Sequence, residues 1–202
     1  MSIRNSIWDD FKSTVNSGNT ISILIIINVV VFVLINLLKV VDKLFFADGL
    51  DGTFYAPVIE QVLLRADIMS LLTHPWTLFT HMFAHEGVFH LVFNMLFLYW
   101  FGRIVQEFIG NRHLLPLYIL GGLSGAFLMV LSYNIFPGLN TQVAYIQALG
   151  ASAGVMAIVV GAATLVPDYT VFLILLGPVR LKYIALVLVV LDIIGMAGFN
   201  GA

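Results

Sequence analysis

Cysteine is absent from this 202-residue sequence, and charged residues are scarce. Without cysteine there are no disulfides, no thiolate nucleophile and no Cys-ligated metal. Charged residues make up only 10% against 60% hydrophobic, and the mean hydropathy of +1.02 is far from that of a soluble domain. The net charge of −2 and the lack of a Lys/Arg run argue against a nucleic-acid partner. We therefore expect a membrane protein that binds no nucleic acid.

Long apolar segments fill most of the chain. A membrane-spanning helix needs roughly 20 apolar residues, and in hydrocarbon the backbone polar groups must be satisfied within the helix. The sequence therefore predicts an all-α polytopic membrane protein, a bundle with about five transmembrane helices. The predicted helices lie near residues 21–38, 88–101, 114–133, 149–166 and 172–196, the fifth being broken at Gly177-Pro178.

The organisation that we predict is one membrane domain, residues 21–202, after a polar cytoplasmic tail, residues 1–20. Residues 39–76 form a long first loop, apolar enough to lie on or in the lipid bilayer. No signal peptide or internal repeat is expected. The inner side would carry six basic residues and the outer side three, which predicts a cytoplasmic N-terminus. The second and fourth helices then both begin at the outer side.

Polar residues at membrane depth collect at the start of the second helix. His90 and Asn94 are four residues apart and share one helical face, and His81 and His85 repeat that spacing upstream. Single membrane histidines are commonly buried hydrogen-bonding residues, but such groups are expensive in a membrane unless they face its protein interior. In His85-Glu86-Gly87-Val88-Phe89-His90 the second histidine comes one residue too late for a zincin motif. We expect no metal and no cofactor.

Ser152 lies at the start of the fourth predicted helix, among small residues that would allow close helix packing. One interpretation is that it is simply another small packing residue. The other is acyl transfer, because a helix N-terminus offers backbone N–H groups for an oxyanion. A serine nucleophile also needs a base, and no histidine follows Ser152 in the sequence.

Three stretches together resemble the rhomboid intramembrane serine proteases. They are Phe79-Thr80-His81-Met82-Phe83-Ala84-His85, His90-Leu91-Val92-Phe93-Asn94 and Gly150-Ala151-Ser152. The resemblance covers the region from about Pro75 onward, with a similar first helix and long loop before it. It implies a rhomboid-like bundle of six helices and hydrolysis of peptide bonds in or beside the transmembrane helix of membrane-protein substrates.

Residue roles follow from this resemblance alone. It implies that Ser152 is the nucleophile, that His90 and Asn94 form the oxyanion hole and that Gly150 shapes the turn. It also implies that His81 and His85 support the site and retain water, and that Trp76 and Asp192 belong to the substrate gate.

The family's base histidine lies on a sixth helix. We expect the sequence to be truncated before that helix, and the chain as given to be inactive alone. A bacterial inner (plasma) membrane is the expected location. Two alternatives are an inactive rhomboid-like protein that binds client membrane helices, and a small transporter subunit.

Overall fold

The computed structural model describes residues 18–45, 54–140, 143, 145–173 and 177–198. Most of the predicted N-terminal tail lies outside these residues. Within them, three helices are long and apolar enough to cross a membrane. These are α1 (Thr20–Phe45), α5 (Val88–Ile109) and α6 (Leu114–Ile135, continuous with a 3₁₀ turn at Asn111–His113). These long apolar helices confirm the predicted all-α polytopic membrane bundle.

Four short helices and a 3₁₀ turn connect the long ones. They are α2 (Tyr55–Glu60), α3 (Ile68–Thr73), α4 (Thr77–Thr80), the turn at His81–Phe83, and α7 (Pro137–Asn140) after α6. Two further apolar helices end the described chain, α8 (Ser152–Leu165) and α9 (Leu181–Gly198). With 14 residues, α8 is shorter than the roughly 20 that a full span needs.

Helix α8 is central to the bundle and packs against α5, α6 and α9. Small residues make this packing close, as the sequence predicts. A Cβ on Gly125 would lie 2.6 Å from the Cβ of Ala153, and one on Gly154 would lie 2.6 Å from the Tyr118 carbonyl oxygen. The backbones of α6 and α8 therefore touch where Ser152 begins its helix, and no larger side chain fits between them.

The predicted fifth helix is wrong in its first third. Residues Thr170–Leu173 (β3) and Gly177–Arg180 (β4) pair as an antiparallel hairpin, and the helix begins only at Leu181. Gly177 has φ of +72° and Pro178 follows it, so neither favours a helix interior. The hydropathy of this segment is that of a membrane helix, but Thr170–Leu173 and Gly177–Arg180 are paired strands.

The predicted first loop begins too early, because α1 continues to Phe45 and includes Lys39. Asp42, near the end of α1, is buried and accepts hydrogen bonds from the backbone N–H groups of Phe54 (2.8 Å) and Tyr55 (2.7 Å). This carboxylate stabilises the end of α1 against the start of α2.

A small sheet joins the first loop to the segment before Ser152. Leu64–Arg65 (β1) pairs antiparallel with Gln147–Ala148 (β2). The sequence gives no sign of this pairing, because each strand has two residues and the two lie about eighty positions apart. The consequence is that the loop is hydrogen-bonded to the segment that leads into α8.

Candidate active site

One cavity of about 260 Å³ lies between α5, α8 and α9. Ser152, His90 and Asn94 all line it, so the structure brings together three residues that the sequence places on two separate helices. The rest of its wall is apolar: Phe93, Phe97, Val155, Met156, Val159 and Leu188. The cavity is therefore an apolar groove with polar groups at one end. It suits a polypeptide whose apolar segment lies in the groove while a polar bond of its backbone reaches the polar groups.

Ser152 is the first residue of α8 and is exposed to the cavity. The N-cap is Ala151, whose own side chain makes no capping hydrogen bond. The first N–H groups of a helix have no partner inside it, and the helix dipole is positive there. The start of α8 thus offers N–H donors and a favourable field beside the serine hydroxyl.

Gly150 makes the turn into α8 with φ of +128°, a conformation open to glycine but strained for other residues. Its N–H donates to the His81 carbonyl oxygen over 2.9 Å. A Cβ at this position would lie 2.7 Å from Cε1 and 3.0 Å from Nε2 of His90. The missing side chain is therefore what lets the His90 ring lie against the turn before Ser152.

His85 is fully buried, and its Nε2 accepts the N–H of Ala151 over 3.2 Å. Burial, and then the nearby His90, lower the pKa of His85 to about 4, so the ring is neutral at physiological pH and can accept this bond. His81 is also buried, and its Nδ1–H donates to the Thr77 carbonyl oxygen over 2.7 Å. Both histidines hold the turn before Ser152 and neither lines the cavity.

Asn94 is 7% exposed, one turn after His90 on α5. Its Nδ2 donates to the His90 carbonyl oxygen over 2.9 Å. A side-chain amide carries two N–H groups, so one further donor remains for the cavity.

Trp76 and Asp192, the predicted gate residues, do not line the cavity. Trp76 is 45% exposed and donates through Nε1 to the Gln61 carbonyl oxygen over 2.9 Å. Asp192 is exposed on α9, one turn beyond Leu188, which does line the cavity. The gate role of both residues stays a prediction.

The apolar wall is the part of the site that the sequence analysis missed. Phe93 and Phe97 follow His90 at spacings of three and seven, and Val155, Met156 and Val159 follow Ser152 at three, four and seven. These spacings place residues on one helical face. Periodicity counted from the polar residues could therefore have placed these residues on the faces of His90 and Ser152, although not against each other.

The fold and cavity together define a multi-pass helical membrane protein with a serine at a helix start beside a histidine and an asparagine. A family profile described as the Rhomboid domain matches residues 72–201. The chain belongs to the rhomboid family.

Three plant relatives from Arabidopsis thaliana show what the chain is similar to. It is 32% identical over 132 residues to RHOMBOID-like protein 12, mitochondrial, and 31% over 126 residues to Rhomboid-like protein 16, chloroplastic. It is 28% identical over 91 residues to Inactive RHOMBOID-like protein 8. These matches cover 61%, 62% and 45% of this chain, and 39%, 35% and 24% of the relatives.

The chain thus spans well under half the length of these curated relatives. Two of their names refer to a mitochondrion and a chloroplast, and none supports the predicted bacterial inner membrane. They also include one protein named inactive, so membership of the family does not by itself establish proteolysis.

Proposed function

We propose that this protein is an intramembrane serine endopeptidase with Ser152 as its nucleophile. The observation that supports the proposal is that Ser152, His90 and Asn94 line one cavity, with the serine as the first residue of α8. The substrates would be membrane proteins, whose transmembrane segment lies along the apolar wall while a backbone carbonyl reaches the serine. The proposed chemistry requires no cofactor, since serine acyl transfer uses side chains and backbone alone.

The proposed reaction begins when the Ser152 hydroxyl attacks the scissile carbonyl carbon and loses its proton to a base. The backbone N–H groups at the start of α8, with His90 and the free N–H of Asn94, would stabilise the oxyanion. The tetrahedral intermediate then expels the amine, which takes up the proton, and water hydrolyses the acyl-enzyme.

This reaction also requires a general base. His81 and His85 hydrogen-bond to the backbone through the nitrogens described above, and His90 is the histidine that lines the cavity among the described residues. The resemblance to the family implies that the base is a histidine on a sixth helix. The test therefore uses the product of the complete reading frame.

The experiment is labelling of the purified membrane protein with a fluorophosphonate probe, followed by mass-spectrometric mapping. We expect the label on Ser152 and none in Ser152→Ala. The matched control is Ser124→Ala, which removes an exposed serine of α6 that does not line the cavity. Label that persists in Ser152→Ala would refute the nucleophile assignment.

The main alternative is a rhomboid-like protein that binds client helices without cleaving them. This alternative is considered because one of the relatives is named inactive. Reconstitution with a membrane-protein substrate in lipid vesicles separates the two: the endopeptidase cleaves and its Ser152→Ala variant only binds. A wild-type protein that binds the substrate and is neither labelled nor active would support the alternative.

A further inference from the structure

Tyr118 is a buried tyrosine of α6 that neither the sequence analysis nor the proposed reaction uses. It is fully buried, and it lies about one turn into a membrane-spanning helix. A phenolic hydroxyl in such a place needs hydrogen-bond partners, because water is not available to it.

The partners of Tyr118 lie on two other parts of the bundle. Its hydroxyl donates to the Met82 carbonyl oxygen over 2.7 Å, in the turn before α5. The hydroxyl also accepts from Nδ2 of Asn28 on α1 over 3.3 Å, and Asn28 is itself fully buried. One hydroxyl therefore connects α1, α6 and the 81–83 turn.

That turn holds the backbone before Ser152. Gly150 donates its N–H to the carbonyl oxygen of His81, the neighbour of Met82. The Met82 side chain is fixed as well, since a Cβ on Gly122 of α6 would lie 2.5 Å from its sulfur. Movement of the 81–83 turn would thus move Gly150.

Tyr118 also supports the chain after Ser152. A Cβ on Gly154 would lie 2.6 Å from the Tyr118 carbonyl oxygen and 3.1 Å from Cδ2 of its ring, so the first turn of α8 rests on this residue. Ser152 is therefore held on both sides: through Gly150 and the 81–83 turn before it, and through Gly154 after it.

We propose that Tyr118 is a positioning residue for Ser152, whose hydroxyl fixes the turn before α8 and thereby sets the serine against His90 and Asn94. This proposal rests on the proposed function of Ser152. Reactivity of a nucleophile depends steeply on its placement, and a shift near 1 Å costs about 100-fold. Loss of the hydroxyl should consequently slow the serine while leaving the apolar wall intact.

The test is Tyr118→Phe, which keeps the ring and removes only the hydroxyl. We expect the maximal rate of Ser152 labelling to fall about 10–100-fold, with the probe concentration for half-maximal rate almost unchanged. Tyr133→Phe, the same change on the same helix but away from Met82, is the matched control and should label as the wild type does.

A general loss of stability must be distinguished from misplacement of the serine. Leu98→Ala removes a fully buried side chain of α5 and calibrates how labelling responds to lower thermal stability. Labelling of Tyr118→Phe that equals the wild type, or falls no more than its loss of stability predicts from Leu98→Ala, overturns the proposal.

Hydrogen exchange tests the same connection without any enzymatic activity. In Tyr118→Phe the peptide that contains Gly150 should exchange faster, because its N–H···O bond to His81 loses support. Unchanged exchange would also overturn the proposal. If the wild type is never labelled, the proposed function fails, while the exchange result still decides whether Tyr118 holds this turn.

Discussion

Gly150→Ala is the sharpest test of the geometry around Ser152. The substitution adds one methyl group at a backbone position with φ of +128°. A non-glycine residue held in such a conformation costs about 1–3 kcal/mol. The new methyl would also lie 2.7 Å from Cε1 of His90, where ordinary contacts begin at 3.4 Å, so the ring must withdraw by about 0.7 Å. We therefore expect both a loss of stability and a displaced histidine.

The two effects can be separated with a second glycine. Gly110, at the end of α5, has φ of +90°, and nothing lies within 4 Å of a Cβ placed there. Gly110→Ala thus introduces backbone strain without a steric clash of the new methyl group. Gly138→Ala, at an open position without a positive φ, should change neither the stability nor the position of His90.

The assays are thermal unfolding in detergent and the rate of Ser152 labelling. Gly150→Ala and Gly110→Ala should both lose about 1–3 kcal/mol of stability. Only Gly150→Ala should lose about 100-fold in labelling rate, as expected of a displacement near 1 Å. Wild-type labelling of Gly150→Ala, or an equal loss in Gly110→Ala, would refute the role of the Gly150–His90 contact.

Two other predictions concern the polar residues around Ser152. Asn94→Ala should lower turnover about 10–1000-fold, as removal of an oxyanion donor does. Asn36→Ala, which removes an amide bonded to its own helix over 2.9 Å outside the cavity, is its control, and equal turnover in both variants would contradict the assignment. The folded-state pKa of His85 is depressed to about 4. The neutral ring therefore contributes its full stability above the unfolded pKa near 6.5, and this contribution is lost as the pH falls from 6.5 towards 4. The melting temperature of His85→Gln should therefore fall less over this pH range than that of the wild type, and parallel curves would contradict the assignment.

Much of the site was predictable because its motifs are local. His90 and Asn94 share a helical face by their spacing alone, and the glycine and alanine spacing around Ser152 predicts close packing. The structure shows both features: the two polar residues line one cavity with Ser152, and Gly125 and Gly154 bring α6 and α8 into contact.

Two errors have a common physical origin. Hydropathy predicted a helix from residue 172, and it also ended the first helix at residue 38. Hydropathy reports whether a residue prefers lipid, but helix ends depend on backbone conformation and on hydrogen-bond partners. Gly177 and Pro178 disfavour a helix where β4 pairs with β3, and α1 continues to Phe45 through Lys39 and Lys43, whose charges ended the apolar run.

The sequence by itself determined the class of protein, because an apolar chain with few charges has few ways to satisfy its backbone except as membrane helices. It also determined which residues share a helical face, since that depends only on helical periodicity. The tertiary structure alone decided which faces meet: the pairing of Leu64–Arg65 with Gln147–Ala148, the apolar wall beside Ser152, and the hydroxyl of Tyr118 on Met82. These contacts join segments dozens of residues apart, and periodicity specifies a face but not its partner. For the same reason, the sequence of its own helix allowed Ser152 to be either a packing residue or a nucleophile. Only its neighbours on α5, His90 and Asn94, favour the nucleophile.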